Sequence, residues 1–153
     1  VNNLEEAGVS FSFWMKDSGG NTGATVFGRW LDGGKSVIYR LVYSSKTGLD
    51  LQADNELVGD GVDGSHFVNE WNHVAVTWNF ETDNLRIWVN GSERYSGTHS
   101  PFSNYNSPFR AEPLVGFADM PNRRLDEFAG AIDDFRIYTR ELAESEVVVL
   151  ANE

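Results

Sequence analysis

Apolar and polar positions alternate in short stretches along most of this chain, and clusters of Gly, Asn, Asp and Ser separate the stretches. Alternation with a period of two puts successive side chains on opposite faces of a strand. In Val9 to Lys16 it sets Phe11, Phe13 and Met15 on one face and Ser10, Ser12 and Trp14 on the other. Ala24 to Trp30 reads as a second strand. Val37 to Ser44 and Gly48 to Ala53 read as a hairpin about the Ser45-Lys46-Thr47-Gly48 turn. Trp71 to Trp78 and Leu85 to Asn90 form the clearest pair, joined through Glu81, Thr82, Asp83 and Asn84 and closed by Asn90-Gly91. Pro113 to Phe117 and Gly130 to Tyr138 are late strands. Glu141 to Leu150 alone has helical spacing, with Leu142, Val147 and Leu150 on one face. Such a series of strands predicts an all-β chain of two antiparallel sheets packed face to face. Thr98 to Glu112 and Ala118 to Glu127 read as long irregular loops, a length more often functional than ornamental. Gly59 to Gly64 reads as a surface turn.

Composition narrows the partners. With 41% hydrophobic and 13% aromatic residues in 153, the chain can build one core and is read as a single domain over residues 1–153. Twelve basic against 23 acidic residues leave a net charge of −11, which repels nucleic acid and anionic lipid. The absence of Cys excludes disulfides, thiolate metal sites and Cys nucleophiles. The longest aliphatic run, Val147 to Ala151, is too short to enter and span a bilayer.

Three motifs in order carry a resemblance: Trp71-Asn72-His73-Val74-Ala75-Val76-Thr77-Trp78, then Leu85-Arg86-Ile87-Trp88-Val89-Asn90-Gly91, then the closing run from Phe128 through Val147. With the early strand Val9 to Lys16, they resemble the laminin-G-like, concanavalin-A-like jelly-roll family of secreted and surface bacterial proteins. The resemblance implies a concanavalin-A-like jelly-roll sandwich of two curved antiparallel sheets with a short C-terminal helix or turn. It also implies that ligands are taken on the concave face or the rim loops. The family pattern ordinarily begins with another strand upstream of Val1, which leaves that strand missing, displaced or supplied differently.

Each candidate chemistry has a plainer reading beside it. Related glycosidases carry an E-x-D-x-(x)-E strand motif because hydrolysis needs two carboxylates across one bond; no segment here matches it. Glu141, Glu144 and Glu146 are read as the solvated face of the closing helix. His73, inside the family pattern, is read as a hydrogen-bonded structural residue, and no Ser sits in a G-x-S-x-G elbow. The chain is therefore read as non-catalytic. Asp133 lies where the family places a calcium ligand, so a structural Ca2+ enters as an expectation at Asp133. Asp134, on the opposite face, pairs with Arg136 or Arg140.

Sugar rings present flat C–H faces, so carbohydrate sites combine aromatic platforms with groups that bond hydroxyls. Trp14, Trp71 and Trp78 are read as core. Trp88 shares a polar strand face with Arg86 and Asn90. Trp30 stands at a strand end, Tyr105 sits among small polar residues, and Arg40 lines the concavity with Arg86. Nine of the twelve basic residues are Arg, suited to planar recognition of hydroxyls and carboxylates. Trp30, Arg40, Arg86, Trp88 and Tyr105 thus form the expected carbohydrate site, with a neutral or weakly charged glycan favoured by the net charge. The reading is a monomeric carbohydrate-binding module of a larger secreted or cell-surface protein; adhesion, protein interaction or a spacer role is the alternative.

Overall fold

A computed structural model describes residues 7–31, 36–53, 56–62, 67–100, 114–115, 118–120, 123–125 and 127–153. In chain order the strands are β1 (Gly8–Asp17), β2 (Thr22–Leu31), β3 (Ser36–Ser44), β4 (Gly48–Ala53), β5 (Glu56–Val62), β6 (Asn72–Asn79), β7 (Asn84–Val89), β8 (Ser92–Thr98), β9 (Leu114–Val115), β10 (Ala118–Met120), β11 (Arg123–Leu125) and β12 (Gly130–Tyr138), followed by helix α1 (Glu144–Leu150). The chain divides into two compact units, each assembled from segments distant in sequence.

The first unit, Val1–Met15, Asn72–Pro101 and Ile132–Glu153, is built on a sheet of order β12-β1-β6-β7-β8. Antiparallel register sets Val9 against Trp78, Phe11 against Val76 and Phe13 against Val74, then Val74 against Val89 and Val76 against Ile87. The alternation predicted for each strand thereby becomes one continuous apolar face. Phe135 of β12 stacks on Phe13 at 5.5 Å between ring centroids. On the other face Ser10, Ser12, His73, Ala75, Thr77, Arg86 and Trp88 alternate with this core. Here α1 lies down, with Leu142, Val147 and Leu150 packed against Ala75 and Trp88. Ser10 anchors the approach to the helix: its Oγ donates to Arg140 O at 2.8 Å and accepts the Leu142 N–H at 2.9 Å.

The second unit, Lys16–Trp71 and Phe102–Ala131, holds a sheet of order β5-β4-β3-β2-β9 and the small β10-β11 pair. Phe27, Tyr39, Leu41, Tyr43, Leu49, Leu51 and Ala53 are buried on one side. Tyr43 packs against Phe67 and Phe128 at 5.5 and 6.0 Å.

Several expectations change. The turn read at Gly59 to Gly64 begins inside β5, whose backbone pairs with β4. Glycine-rich sequence carries no strand signal, yet a ladder on a neighbouring strand satisfies its backbone all the same. Ser92 to Thr98, unassigned from sequence, is β8, and six of the ten residues of the loop read at Ala118 to Glu127 form the β10-β11 pair. The helix is shorter than its apolar spacing implied, because Glu141 to Ala143 form its extended approach. Of the loop read at Thr98 to Glu112, residues 101–112 lie outside the described set.

Candidate functional site

The face of the second unit's sheet opposite Leu41 and Tyr43 gathers polar groups in register. Gly28 of β2, Arg40 of β3, Gln52 of β4 and Leu57 of β5 lie side by side across four strands. Arg40 Nε donates to Gln52 Oε1 at 2.7 Å, which sets a planar guanidinium beside a planar amide. Gly28 adds no side chain next to Arg40, and Leu57 is 54% exposed at the far side of the row. The adjoining row holds Thr25, Val42 and Asp50. The Thr25 hydroxyl is buried without a hydrogen-bond partner among the described residues. Flat polar groups fixed by each other and flanked by an exposed aliphatic side chain can bond hydroxyls while covering a C–H surface.

Of the other residues expected to bind sugar, Trp88 requires a correction. Its ring is 2% exposed, beneath Leu142 and Val147, and its Nε1 donates to Thr77 Oγ1 at 3.2 Å. The polar alternation of β7 pointed to a wet face, but α1 covers it, and no indole surface is left for stacking. Arg86 stands on that same sheet and so shares no face with Arg40. Its Nε is buried without a hydrogen bond, with Glu93 Oε2 at 3.6 Å. The backbone of Trp30 lies in β2 opposite Val37, and its side chain falls outside the described set, as does all of Tyr105.

Asp133 is exposed, and its Oδ1 accepts the Asp134 N–H at 2.8 Å. Asp134, with φ of 51°, is held by Arg136 at 3.0 and 2.6 Å, and Arg136 also reaches Glu153 at 2.8 Å. Ca2+ takes six to eight oxygens. Among the described residues no three acidic or imidazole groups cluster.

Three of the residues weighed for catalysis, His73, Glu141 and Glu146, have structural partners. His73 is buried with Nε2 at 2.9 Å from Ser12 Oγ, and burial, aided by the Arg136 charge, pushes its imidazole down to about 4. Asp134 and Glu153 pull weakly the other way. Glu141 accepts from Asn79 Nδ2 at 2.6 Å. Glu146 takes Arg140 in a fork at 2.7 and 2.6 Å and accepts the Ala143 N–H at the helix start. That pairing holds the Glu146 carboxyl well below the usual range.

Sequence reasoning missed a highly bonded acid among the described residues. Asp17 is fully buried at the end of β1. Its Oδ1 accepts the Gly19 N–H at 2.7 Å and the Asn21 side-chain amide; its Oδ2 accepts Ser45 Oγ at 2.7 Å and Tyr43 OH at 3.0 Å. Asn21 extends the knot by exchanging two bonds of 2.9 Å with the Ala129 backbone. Burial alone would raise this carboxyl, but the donors from Ser45, Gly19, Tyr43 and Asn21 outweigh it and hold it below the ordinary value. The run Asp17-Ser18-Gly19-Gly20-Asn21 signals a turn, but nothing local names Tyr43, Ser45 or Ala129 as partners. Trp71, read as core, is also displaced: it stands 43% exposed just before β6, with Lys16 Nζ 5.2 Å from its ring centre.

Residues 1–148 match the family described as the concanavalin A-like lectin/glucanases superfamily. No curated protein matches the chain. Among solved structures, the CBM40 of a Ruminococcus gnavus IT-sialidase is similar with a TM-score of 0.74 and 12% identity, over 95% of this chain and 83% of that one. Domain 4 of AbnA, a GH43 extracellular arabinanase from Geobacillus stearothermophilus solved with arabinotriose, gives 0.62 and 23%, over 95% and 66%. A heptameric SAP-like pentraxin from Limulus polyphemus gives 0.69 and 14%, over 95% and 70%. The chain also spans 36% of the botulinum neurotoxin C/D receptor-binding domain that it resembles. These likenesses, with the two antiparallel sheets and closing helix, establish an all-β jelly-roll fold.

Proposed function

The chain belongs to the concanavalin A-like lectin/glucanases superfamily, and from that premise we propose that it is a non-catalytic module that binds a polysaccharide at the Arg40–Gln52 row of the β5-β4-β3-β2-β9 sheet. The observation that carries this reading is the Arg40–Gln52 pair, fixed at 2.7 Å with the exposed Leu57 in register beside Gln52. Guanidinium and amide edges bond sugar hydroxyls, and the exposed Leu57 beside Gln52 covers a C–H surface. Trp30 and Tyr105 are further proposed stacking residues on the strength of the sequence alone.

Support comes from the company the fold keeps: the CBM40 of a sialidase and a domain of an extracellular arabinanase solved with arabinotriose share it. The corresponding place of work is outside the cell or at its surface, within a larger protein. Among the described residues no helix is long and apolar enough to cross a membrane.

The test is native affinity electrophoresis through gels carrying single polysaccharides, with assays for released sugars alongside. Retardation without product release is expected for at least one glycan. Arg40→Ala and Gln52→Ala should each weaken it about tenfold, the loss of one or two well-placed hydrogen bonds. Unchanged retardation in both variants refutes the placement. Product release refutes the non-catalytic reading, and migration unaffected by every glycan favours the adhesion or spacer role.

A further inference from the structure

The Asp17 knot does more than bury a charge: it fixes the stretch of backbone that carries Trp71. Asp17 N–H donates to Phe67 O at 2.9 Å, and Asn69 N–H donates back to Asp17 O at 2.7 Å. Asp17 and Val68 thereby form a parallel bridge, and the turn closes through Asn69 at φ of 60° and a bond from Glu70 N–H to Phe67 O. Lys16, next to the knot in sequence, places its ammonium over the Trp71 ring. Both side chains therefore project from backbone that a fully bonded buried carboxylate holds in place.

Neither serves the core. Trp78 and Trp88 are buried with their indole N–H groups bonded, whereas Trp71 is exposed and its N–H donates to no described residue. Lys16 makes no ion pair with a described carboxylate, in a chain whose net charge is −11. An exposed indole, oriented in advance and capped on one side by an uncompensated ammonium, has the parts of a small acidic-sugar site. The ring supplies a stacking surface, the ammonium a partner for a carboxylate, and the rigid backbone keeps the ordering cost of binding low.

We propose that Trp71 and Lys16 form a second saccharide subsite, separate from the Arg40–Gln52 face, selective for a sugar unit bearing a carboxylate. This rests on the module reading above, but it names a different place and a charge class.

The test is calorimetric titration of the full chain with galacturonate and glucuronate oligomers, against galactose and glucose oligomers of equal length. At least one acidic oligomer should bind at least fivefold more tightly than its neutral counterpart. Trp71→Ala should lose that binding by tenfold or more, and Trp71→Tyr, which keeps a ring, should recover most of it. Lys16→Gln should bring acidic and neutral affinities together, while Arg40→Ala leaves the preference intact. Thermal melts of the variants check folding, which an exposed indole should barely affect. Failure of both acidic oligomers to bind overturns the subsite, as does a preference that survives Trp71→Ala in a folded protein. If Arg40→Ala alone abolishes binding, the subsite falls and the sheet-face reading stands; if Trp71→Ala alone does so, the reverse holds.

Discussion

Removing the Asp17 carboxylate tests whether the knot at the end of β1 carries stability. In Asp17→Ala four donors lose their acceptor: Gly19 N–H, the Asn21 amide, Ser45 Oγ–H and Tyr43 OH. They do not all stay stranded. Asn21 Nδ2 keeps its bond of 2.9 Å to Ala129 O, and the Ser45 hydroxyl can rotate toward another acceptor. The Gly19 N–H has no such alternative among the bonds described. At about 1–3 kcal/mol for each buried group left unpaired, the substitution should cost about 3 kcal/mol. For a chain of this length that is a fall in melting temperature of roughly 6–12 °C. Asp17→Asn keeps Oδ1 for Gly19 and Asn21 and turns an amide toward two hydroxyls able to accept, so about half the loss is expected. Urea unfolding of the three proteins, compared at constant m-value, supplies the measurement. The linkage has a definite sign. The folded carboxyl lies below its unfolded value, so its contribution is fully present above about pH 4 and is lost as pH falls through the folded value. Asp17→Asn should lack that component. A loss below about 1 kcal/mol in Asp17→Ala, with Asp17→Asn no milder, would refute the account of the knot as a set of bonds to a buried charge.

Two further predictions concern the first unit. His73 is held neutral down to about 4 by burial, so the unfolded chain binds the extra proton first. Stability should therefore fall by on the order of 3 kcal/mol as pH drops from about 6.5 toward 4, then level off. Ser12, Arg136, Asp134 and Glu153 are the groups that face or act on it, and urea midpoints across pH should lose this slope in His73→Gln; an unchanged slope assigns the effect elsewhere. Trp88→Ala should cost about 4 kcal/mol, the typical penalty for emptying a large aromatic site. Amide exchange should then speed up first in α1, whose Val147 and Leu150 rest on that ring; uniform acceleration across the sheet would contradict the packing.

How much was legible follows from the range of each interaction. The strands β1, β3, β4, β6, β7 and β12 were readable because period-two alternation is local and each had one face to bury. β5 and β8 were not: glycine and short polar residues carry no such period, and both became strands only by pairing with β4 and β7. Asp134 beside Arg136 could be paired by eye, two residues apart. Trp88 could not be placed, because its cover comes from Leu142 and Val147, more than fifty residues further on. The Arg40–Gln52 pair lies between these cases: the hairpin was predicted, and its register, which the turn at Ser45 to Gly48 fixes, makes the two residues neighbours.

By itself, then, the order of residues determined the all-β class, the alternating core and the closing helix, since each depends on neighbours a few positions apart. Tertiary structure alone decided which polar faces stay wet and where buried charge finds its donors. Those outcomes depend on which distant segment lies overhead: α1 over Trp88, and Tyr43, Ser45 and Asn21 around Asp17. No local pattern encodes a partner brought into place by the chain's return.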